Sequence, residues 1–190
     1  IAAFNSEWEN LKKQGVWEIS SVQEWDDVAR AAQKAGKEIH MGRLFGIMVQ
    51  KNAQFENDDK RKKYKYRVVF QGNRVINQNW EAAVFQELGA APASMEASRV
   101  ADWYGCQKGH ICQQADAKQA YIQADLRGRP TWVHLPEIAW PVEWTREYRT
   151  AHNLKPYRKP VVILKKALYG HPEAGKMWED HCDKALRGVG

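Results

Sequence analysis

Cysteine is scarce in this chain of 190 residues, and its spacing does not indicate a disulfide framework. The three cysteines, Cys106, Cys112 and Cys182, are odd in number and form no C-x-x-C pair, so reduced thiols are expected. His110 lies between the first two and could suggest zinc, but a fourth ligand is not evident and the spacing matches no standard zinc site. Buried or incidental cysteines are the preferred interpretation.

Long apolar runs are also missing. No stretch of about 18 apolar residues occurs, so no transmembrane helix is predicted, and the first residues lack the basic region and apolar run of a secretory signal. We therefore expect an intracellular protein, cytoplasmic or nuclear, that is not secreted and has no membrane partner. The chain begins with Ile1 and ends in an uncapped helical pattern, which predicts that it is a segment of a longer protein.

The composition is that of a folded domain. Hydrophobic residues make up 44% of the chain and charged residues 27%, which is not a disordered composition, and the length allows one domain with a real core. The net charge is +6. A basic balance is compatible with a polyanionic partner, although charge alone favours an ordinary solvated surface.

The first 40 residues show helical periodicity. Phe4, Trp8 and Leu11 recur at helical spacing and predict an amphipathic helix over residues 2–14. Ser21 and Glu24 have the spacing of a capping box, which predicts the start of a second helix that ends at Gly36.

Two strands are predicted at 40–50 and 64–71, joined by the charged connection KNAQFENDDKRKK. Together they predict a long β-hairpin. Its second arm is crowded with basic residues: Lys60, Arg61, Lys62, Lys63, Lys65 and Arg67. Two interpretations fit this pattern, an ordinary solvated hairpin and a flap that holds phosphates through Lys and Arg.

The segment HICQQADAKQAYIQADL, residues 110–126, predicts a short strand that ends on Asp116, followed by a turn or short helix carrying Tyr121. A carboxylate at the end of a strand suits a hard cation such as Mg²⁺. Because D-x-x-x-x-Y arises by chance in many proteins, its flanks decide its meaning. These flanks are a helix over 96–108 capped by Ser94, strands at 131–135 and 161–164, and a last helix over 172–187.

Three motifs follow one another in the chain: KYRVVFQGN, QQADAKQAYIQADLRG and LKKALYGHPEAGKMWEDH. In this order they resemble the reverse transcriptase domain of copia-type LTR retrotransposons, an RNA-directed DNA polymerase. The likeness covers most of the chain and is most specific at residues 114–128 and 164–178. It implies a partial reverse transcriptase domain over 1–190, divided into an N-terminal helical segment (1–39), fingers (40–108) with the basic hairpin (40–71), and the first part of the palm (109–190).

The resemblance also implies a fold and a set of site residues. The fold class is α+β, with an antiparallel palm sheet that holds Asp116, helices 96–108 and 172–187 behind it, and a protruding basic β-hairpin. Asp116 matches the catalytic aspartate that binds the first metal ion, Mg²⁺ or Mn²⁺. Tyr121 matches the aromatic residue beside the sugar 2′ position, and Gly170 the glycine that allows the backbone close to the nascent base pair. Lys65 and Arg67 match the basic residues that contact the triphosphate.

The implied partners are an RNA or DNA template-primer, dNTPs, and the remainder of a retrotransposon polyprotein. The family's second catalytic segment, Y-x-D-D, is missing. The adjacent aspartates of this chain, Asp26–Asp27 and Asp58–Asp59, both precede Asp116. We therefore expect residues 1–190 alone not to polymerise. Two other interpretations stay open: a non-catalytic nucleic-acid-binding module, and a degenerate relic of a mobile element.

Overall fold

A computed structural model describes residues 2–56, 58–85 and 93–188. In these residues the α-helices, in chain order, are α1 (Ala2–Lys13), α2 (Trp25–Lys34), α3 (Met95–Gly105), α4 (Ala120–Gln123), α5 (Arg146–Ala151) and α6 (Ala174–Arg187). The strands are β1 (Trp17–Glu24), β2 (His40–Lys51), β3 (Lys63–Phe70), β4 (Ile76–Asn77), β5 (Thr131–His134) and β6 (Pro160–Leu164). Short 3₁₀ helices span Gly72–Arg74, Glu137–Ala139 and Val142–Trp144.

The six strands form one sheet in the order β1-β6-β5-β2-β3, with β4 paired to β2. The α+β class is therefore confirmed. The two predicted palm strands pair antiparallel, as expected, with Val133 opposite Val162. The hairpin was expected to stand apart from this sheet, and that prediction is wrong, because β2 runs parallel to β5, with His40 opposite Thr131 and Arg43 opposite His134. A parallel pair needs a long crossover, and the residues between β2 and β5 supply one.

Strand β2 is shared by two parts of the sheet. Its first residues, His40–Arg43, pair with β5, whereas Leu44–Lys51 pair antiparallel with β3. The inner end of the β2–β3 pair is buried, since Leu44 and Phe70 are 4% and 1% exposed, whereas its outer end at Lys51 and Lys63 is exposed. The β2–β3 pair thus extends from the core into solvent.

The sheet buries apolar side chains on both faces, because neighbouring residues of a strand point to opposite sides. Val133 and Val162 belong to the larger cluster, together with Trp8 and Leu11 of α1. Met41 and Val161 belong to a second cluster, which is covered by α2. Helix α1 also packs along β3, where the rings of Phe4 and Tyr66 meet edge to face at 4.9 Å.

The predicted strand ending on Asp116 is wrong. Residues 110–117 have no regular secondary structure and are exposed, so Asp116 lies on an irregular segment and not in the sheet. The physical reason is the composition of HICQQAD, in which the residues after Ile111 and Cys112 are polar or small and offer no continuous apolar face for a strand to bury. The short helix with Tyr121 is confirmed as α4.

Two predictions about helices also need correction. Helix α3 forms and its Ser94 hydroxyl accepts a hydrogen bond from the Ala97 amide at 3.1 Å, as predicted, but α3 buries none of its residues and does not back the sheet. The capping box is wrong as well, because β1 continues through Glu24 and α2 begins at Trp25 without a side-chain cap.

In the described part of the chain, no helix has the length and apolar character needed to cross a membrane.

Candidate functional site

A cleft of about 600 Å³ opens between α1, the outer edge of β3, the segment 116–122 and the turn that follows β6. We call it the Asp116 cleft. Four of the residues singled out in the sequence, Lys65, Arg67, Asp116 and Tyr121, line this cleft, although they come from two motifs separated by about 50 positions. The fold therefore brings these four residues together.

Strand β3 supplies the basic side of the cleft. Lys65 and Arg67 are exposed and alternate along the strand with Tyr66 and Val68, which pack on the larger core. Among the described residues, no carboxylate forms a salt bridge with Lys65 or Arg67. Both cations are therefore available to an anionic ligand.

Two aromatic rings also line the cleft. Tyr121 of α4 lies next to Tyr169 of the turn after β6, with ring centroids 5.8 Å apart. Main-chain hydrogen bonds hold these segments together, because the Ala167 amide donates to the Ala124 carbonyl at 2.9 Å and the Leu126 amide donates to the Lys165 carbonyl at 2.8 Å. Tyr169 is 49% exposed, so its ring is accessible from the cleft.

The loop that carries Asp116 is tied to its surroundings by side chains. Gln14, just after α1, bonds to the side chain of Gln119, and Gln123 donates to the Lys118 carbonyl at 2.8 Å. Asp116 itself is exposed. The loop is thus anchored at Lys118 and Gln119, whereas the Asp116 carboxylate faces solvent.

Gly170 lies one residue beyond the cleft wall and faces β3. Its φ is +90°, and a Cβ placed there would lie 2.3 Å from the Phe70 carbonyl oxygen and 2.7 Å from Val69 Cγ1. The Phe70 amide also donates to the Tyr169 carbonyl at 2.8 Å. The close approach that this glycine permits is therefore to the protein's own strand, and its approach to a base pair stays a prediction.

Asp116 is the carboxylate of the cleft that the resemblance assigns to a metal ion. Glu7 of α1 is the other carboxylate on the cleft wall, and within residues 2–56, 58–85 and 93–188 no three His, Cys, Asp or Glu side chains are placed to hold a metal ion together. The next aspartate along the chain, Asp125, forms a salt bridge with Lys166 at 2.7 Å that lowers the pKa of its carboxyl. Mg²⁺ is commonly bound through one or two carboxylates together with waters and substrate phosphates. Asp116 and Glu7 are the carboxylates that the described part of the cleft wall offers to such an ion.

Sequence reasoning missed three members of the cleft wall, Glu7, Lys118 and Tyr169. Tyr169 could have been found, because it precedes Gly170 within the same motif. Glu7 could also have been placed, since it lies four residues before Leu11 on the side of α1 that packs inward. Lys118 carried no signal, because the loop around it has no periodicity.

Comparison of the chain with protein-family models, with curated proteins and with solved structures gives no match. Membership of a family is therefore not shown, and the resemblance to reverse transcriptases stays a prediction.

Proposed function

We propose that the Asp116 cleft binds a nucleotide and the end of a template-primer, and that the chain is the fingers and first part of the palm of a copia-type RNA-directed DNA polymerase. The observation that carries this proposal is the convergence of Lys65, Arg67, Asp116 and Tyr121 on one cleft. These residues were named from separate sequence motifs without knowledge of the fold, so their convergence on one cleft is independent support for the proposal.

The chemistry of the cleft suits a nucleotide. A guanidinium and an ammonium side by side on β3 suit a polyphosphate, because Arg offers a planar pair of N–H donors and Lys a compact positive charge. The rings of Tyr121 and Tyr169 suit bases or sugars, since aromatic side chains stack on every base without regard to sequence. The cleft thus presents a basic side and an aromatic side to one ligand.

The first experiment measures binding of a fluorescent RNA–DNA template-primer by anisotropy at several salt concentrations. We expect the double variant Lys65→Ala/Arg67→Ala to bind more weakly and to lower the slope of log K against log salt by about 2, one for each lost phosphate contact. The matched control Lys34→Ala/Lys37→Ala removes the same charge from exposed positions at the end of α2. Equal losses in the two variants would mean that only net charge matters, against the proposal.

The second experiment uses Asp116→Asn. Removing a negative charge near the expected phosphates leaves template-primer binding unchanged or tighter, because repulsion is lost. If Asp116 is a metal ligand, the dependence of binding on Mg²⁺ or Mn²⁺ falls in this variant. Template-directed primer extension by residues 1–190 alone would contradict the expectation that this chain does not polymerise.

A non-catalytic nucleic-acid-binding module is the second candidate function. It is favoured by the exposure of the basic side chains of β3. Such a module would bind through phosphate contacts and stacking, and its affinity would not change between Mg²⁺ and a chelator. Divalent-metal dependence that Asp116→Asn abolishes would rule against it.

A further inference from the structure

Three basic residues lie near one another where β2, β5 and the start of β6 come together. Arg43 of β2 lies directly opposite His134 of β5 in the parallel ladder, and Lys159 precedes the first residue of β6. Arg43 and His134 alternate with Gly42 and Val133, and Val133 is fully buried in the larger core. Arg43 and His134 therefore point to the other face, and none of the three residues lines the Asp116 cleft.

Hydrogen bonds fix two of these groups in place. The His134 ring is bonded through Nδ1 to the Pro160 carbonyl at 2.9 Å. Because a carbonyl oxygen only accepts, Nδ1 carries the proton, and Nε2 is the atom that gains one when the ring becomes charged. The Glu24 carboxylate accepts from the Arg158 and Lys159 amides at 2.7 and 2.9 Å, so the Lys159 backbone is tied to the end of β1, one residue before the carbonyl that holds the ring.

The three groups lie close enough to act on one another electrostatically. Burial lowers the pKa of His134, and the charges of Arg43 and Lys159 lower it further, whereas the hydrogen bond to the Pro160 carbonyl and the charge of Glu137 raise it. Burial and the Arg43 charge likewise lower the pKa of Lys159, whereas Asp26 raises it. Among the described residues no carboxylate forms a salt bridge with Arg43, His134 or Lys159, and Asp26 pairs instead with Arg158.

We propose that Arg43, His134 and Lys159 form a phosphate-binding site separate from the Asp116 cleft. Concentrating like charges is unfavourable without an anion between them, and a phosphate group matches this set because Arg, Lys and a charged imidazole all donate hydrogen bonds to its oxygens. The phosphate belongs either to a free phosphate compound or to a nucleic-acid backbone. The site does not depend on the function proposed for the cleft.

The test follows the imidazole protons of His134 by NMR in the full chain, with inorganic phosphate and separately with a short single-stranded oligonucleotide as probes. A phosphate on this site is expected to shift the His134 signals and to raise the pH at which they titrate, because the anion favours the charged ring. Binding of the probe therefore strengthens as the pH falls through the titration of His134. Unchanged His134 signals with both probes would overturn the proposal, without any variant being needed.

Variants then assign the contacts. We expect Arg43→Gln and Lys159→Gln to weaken binding of the effective probe about tenfold or more, and His134→Gln to flatten its pH dependence. Lys165→Gln is the control, because Lys165 follows β6 as Lys159 precedes it and pairs with Glu18 at 3.7 Å. An equal loss in the control variant would overturn the proposal.

The two probes distinguish the two sources of phosphate. Inorganic phosphate that shifts the His134 signals points to a free phosphate compound, and a shift with the oligonucleotide alone points to a nucleic-acid backbone; both results support the site. Lys65→Ala/Arg67→Ala leaves the His134 shift with the effective probe intact if the two sites are separate. Loss of that shift in this double variant would overturn the separation from the Asp116 cleft, whatever the outcome for template-primer binding.

Discussion

Gly170 and Gly72 are the residues through which the turn after β6 reaches the end of β3. A Cβ on Gly72 would lie 2.3 Å from the Gly170 carbonyl oxygen, and a Cβ on Gly170 would lie 2.3 Å from the Phe70 carbonyl oxygen. Backbone atoms cannot move aside as a flexible side chain can. This contact therefore requires two residues without a side chain, and it sets the position of Tyr169 in the cleft wall.

Gly170→Ala is expected to lower the free energy of unfolding by about 3 kcal/mol or more, since it combines a positive φ with an overlap against backbone. Gly36→Ala is the control. Gly36 has a φ of +61° but nothing within 4 Å of its Cβ position, so this substitution should lower the free energy of unfolding by only about 1 kcal/mol. Urea unfolding followed by circular dichroism measures both. Equal decreases in the free energy of unfolding for the two variants would show that the contact with β3 does not constrain Gly170.

His171 is buried between aromatic rings, with centroids 4.9 Å from Phe70 and 5.5 Å from Phe85. Its Nδ1 accepts a hydrogen bond from the Glu173 amide at 3.3 Å, so Nε2 carries the proton, and that buried atom has no partner in the described residues. Burial, together with the nearby charge of His40, lowers the pKa of His171 from 6.5 to about 4. The ring is therefore neutral in the folded protein at neutral pH.

This lowered pKa makes stability depend on pH. As the pH falls below 6.5, the unfolded chain binds a proton at His171 before the folded chain does, so stability decreases until the folded pKa of about 4 is reached. The loss attributable to this residue is about 3 kcal/mol. His171→Leu should remove that part of the decrease in unfolding free energy between neutral pH and pH 4, whereas His110→Gln, at an exposed position, should not. An unchanged pH dependence in His171→Leu would contradict the argument.

At the scale of elements, α1 supports the cleft by packing on β3. Trp8 is 4% exposed and its ring lies 5.6 Å from that of Trp17. Trp8→Ala is expected to lower the free energy of unfolding by about 3 to 5 kcal/mol, because it leaves a large cavity. Trp103→Ala, at a position 65% exposed, should change it by about 0.5 kcal/mol or less. Urea unfolding compares the two, and similar values would mean that α1 does not pack as described.

Elements with a strong local pattern could be predicted from the sequence. The spacing of Phe4, Trp8 and Leu11 identified α1, and the Ser94 cap identified the start of α3. The parallel pairing of β2 with β5 could not be predicted, because these strands lie about 80 residues apart and their pairing leaves no pattern in the local sequence. The role of Glu24 was equally hidden, since its carboxylate binds amides 134 and 135 positions away instead of capping its own helix.

Four of the residues named from the motifs line one cleft, whereas the roles assigned to them stay predictions. Lys65, Arg67, Asp116 and Tyr121 were identified because motifs keep chemical groups at fixed spacing, whatever the surrounding fold. The cluster of Arg43, His134 and Lys159 was not predicted, because its members are brought together by strand register alone. Short-range spacing cannot reveal a site of that kind.

Considered as a whole, the molecule combines a net charge of +6 with apolar side chains in solvent. Helix α3 is the clearest case: Val100, Trp103 and Tyr104 are 62%, 65% and 58% exposed, and none of its residues is buried. Exposed apolar surface of this kind favours association, whereas the positive charge of each molecule opposes it.

We therefore expect the chain to self-associate as its concentration rises, and more strongly in higher salt, because salt screens repulsion between the molecules. Nucleic-acid binding has the opposite salt dependence, so the two processes are separable. Sedimentation velocity at low and high salt is the measurement. Val100→Glu/Trp103→Glu should keep the chain monomeric, whereas Leu186→Glu, at a position on α6 that is 68% exposed, should reduce association less. A chain that stays monomeric at every concentration and salt would show that α3 does not drive association.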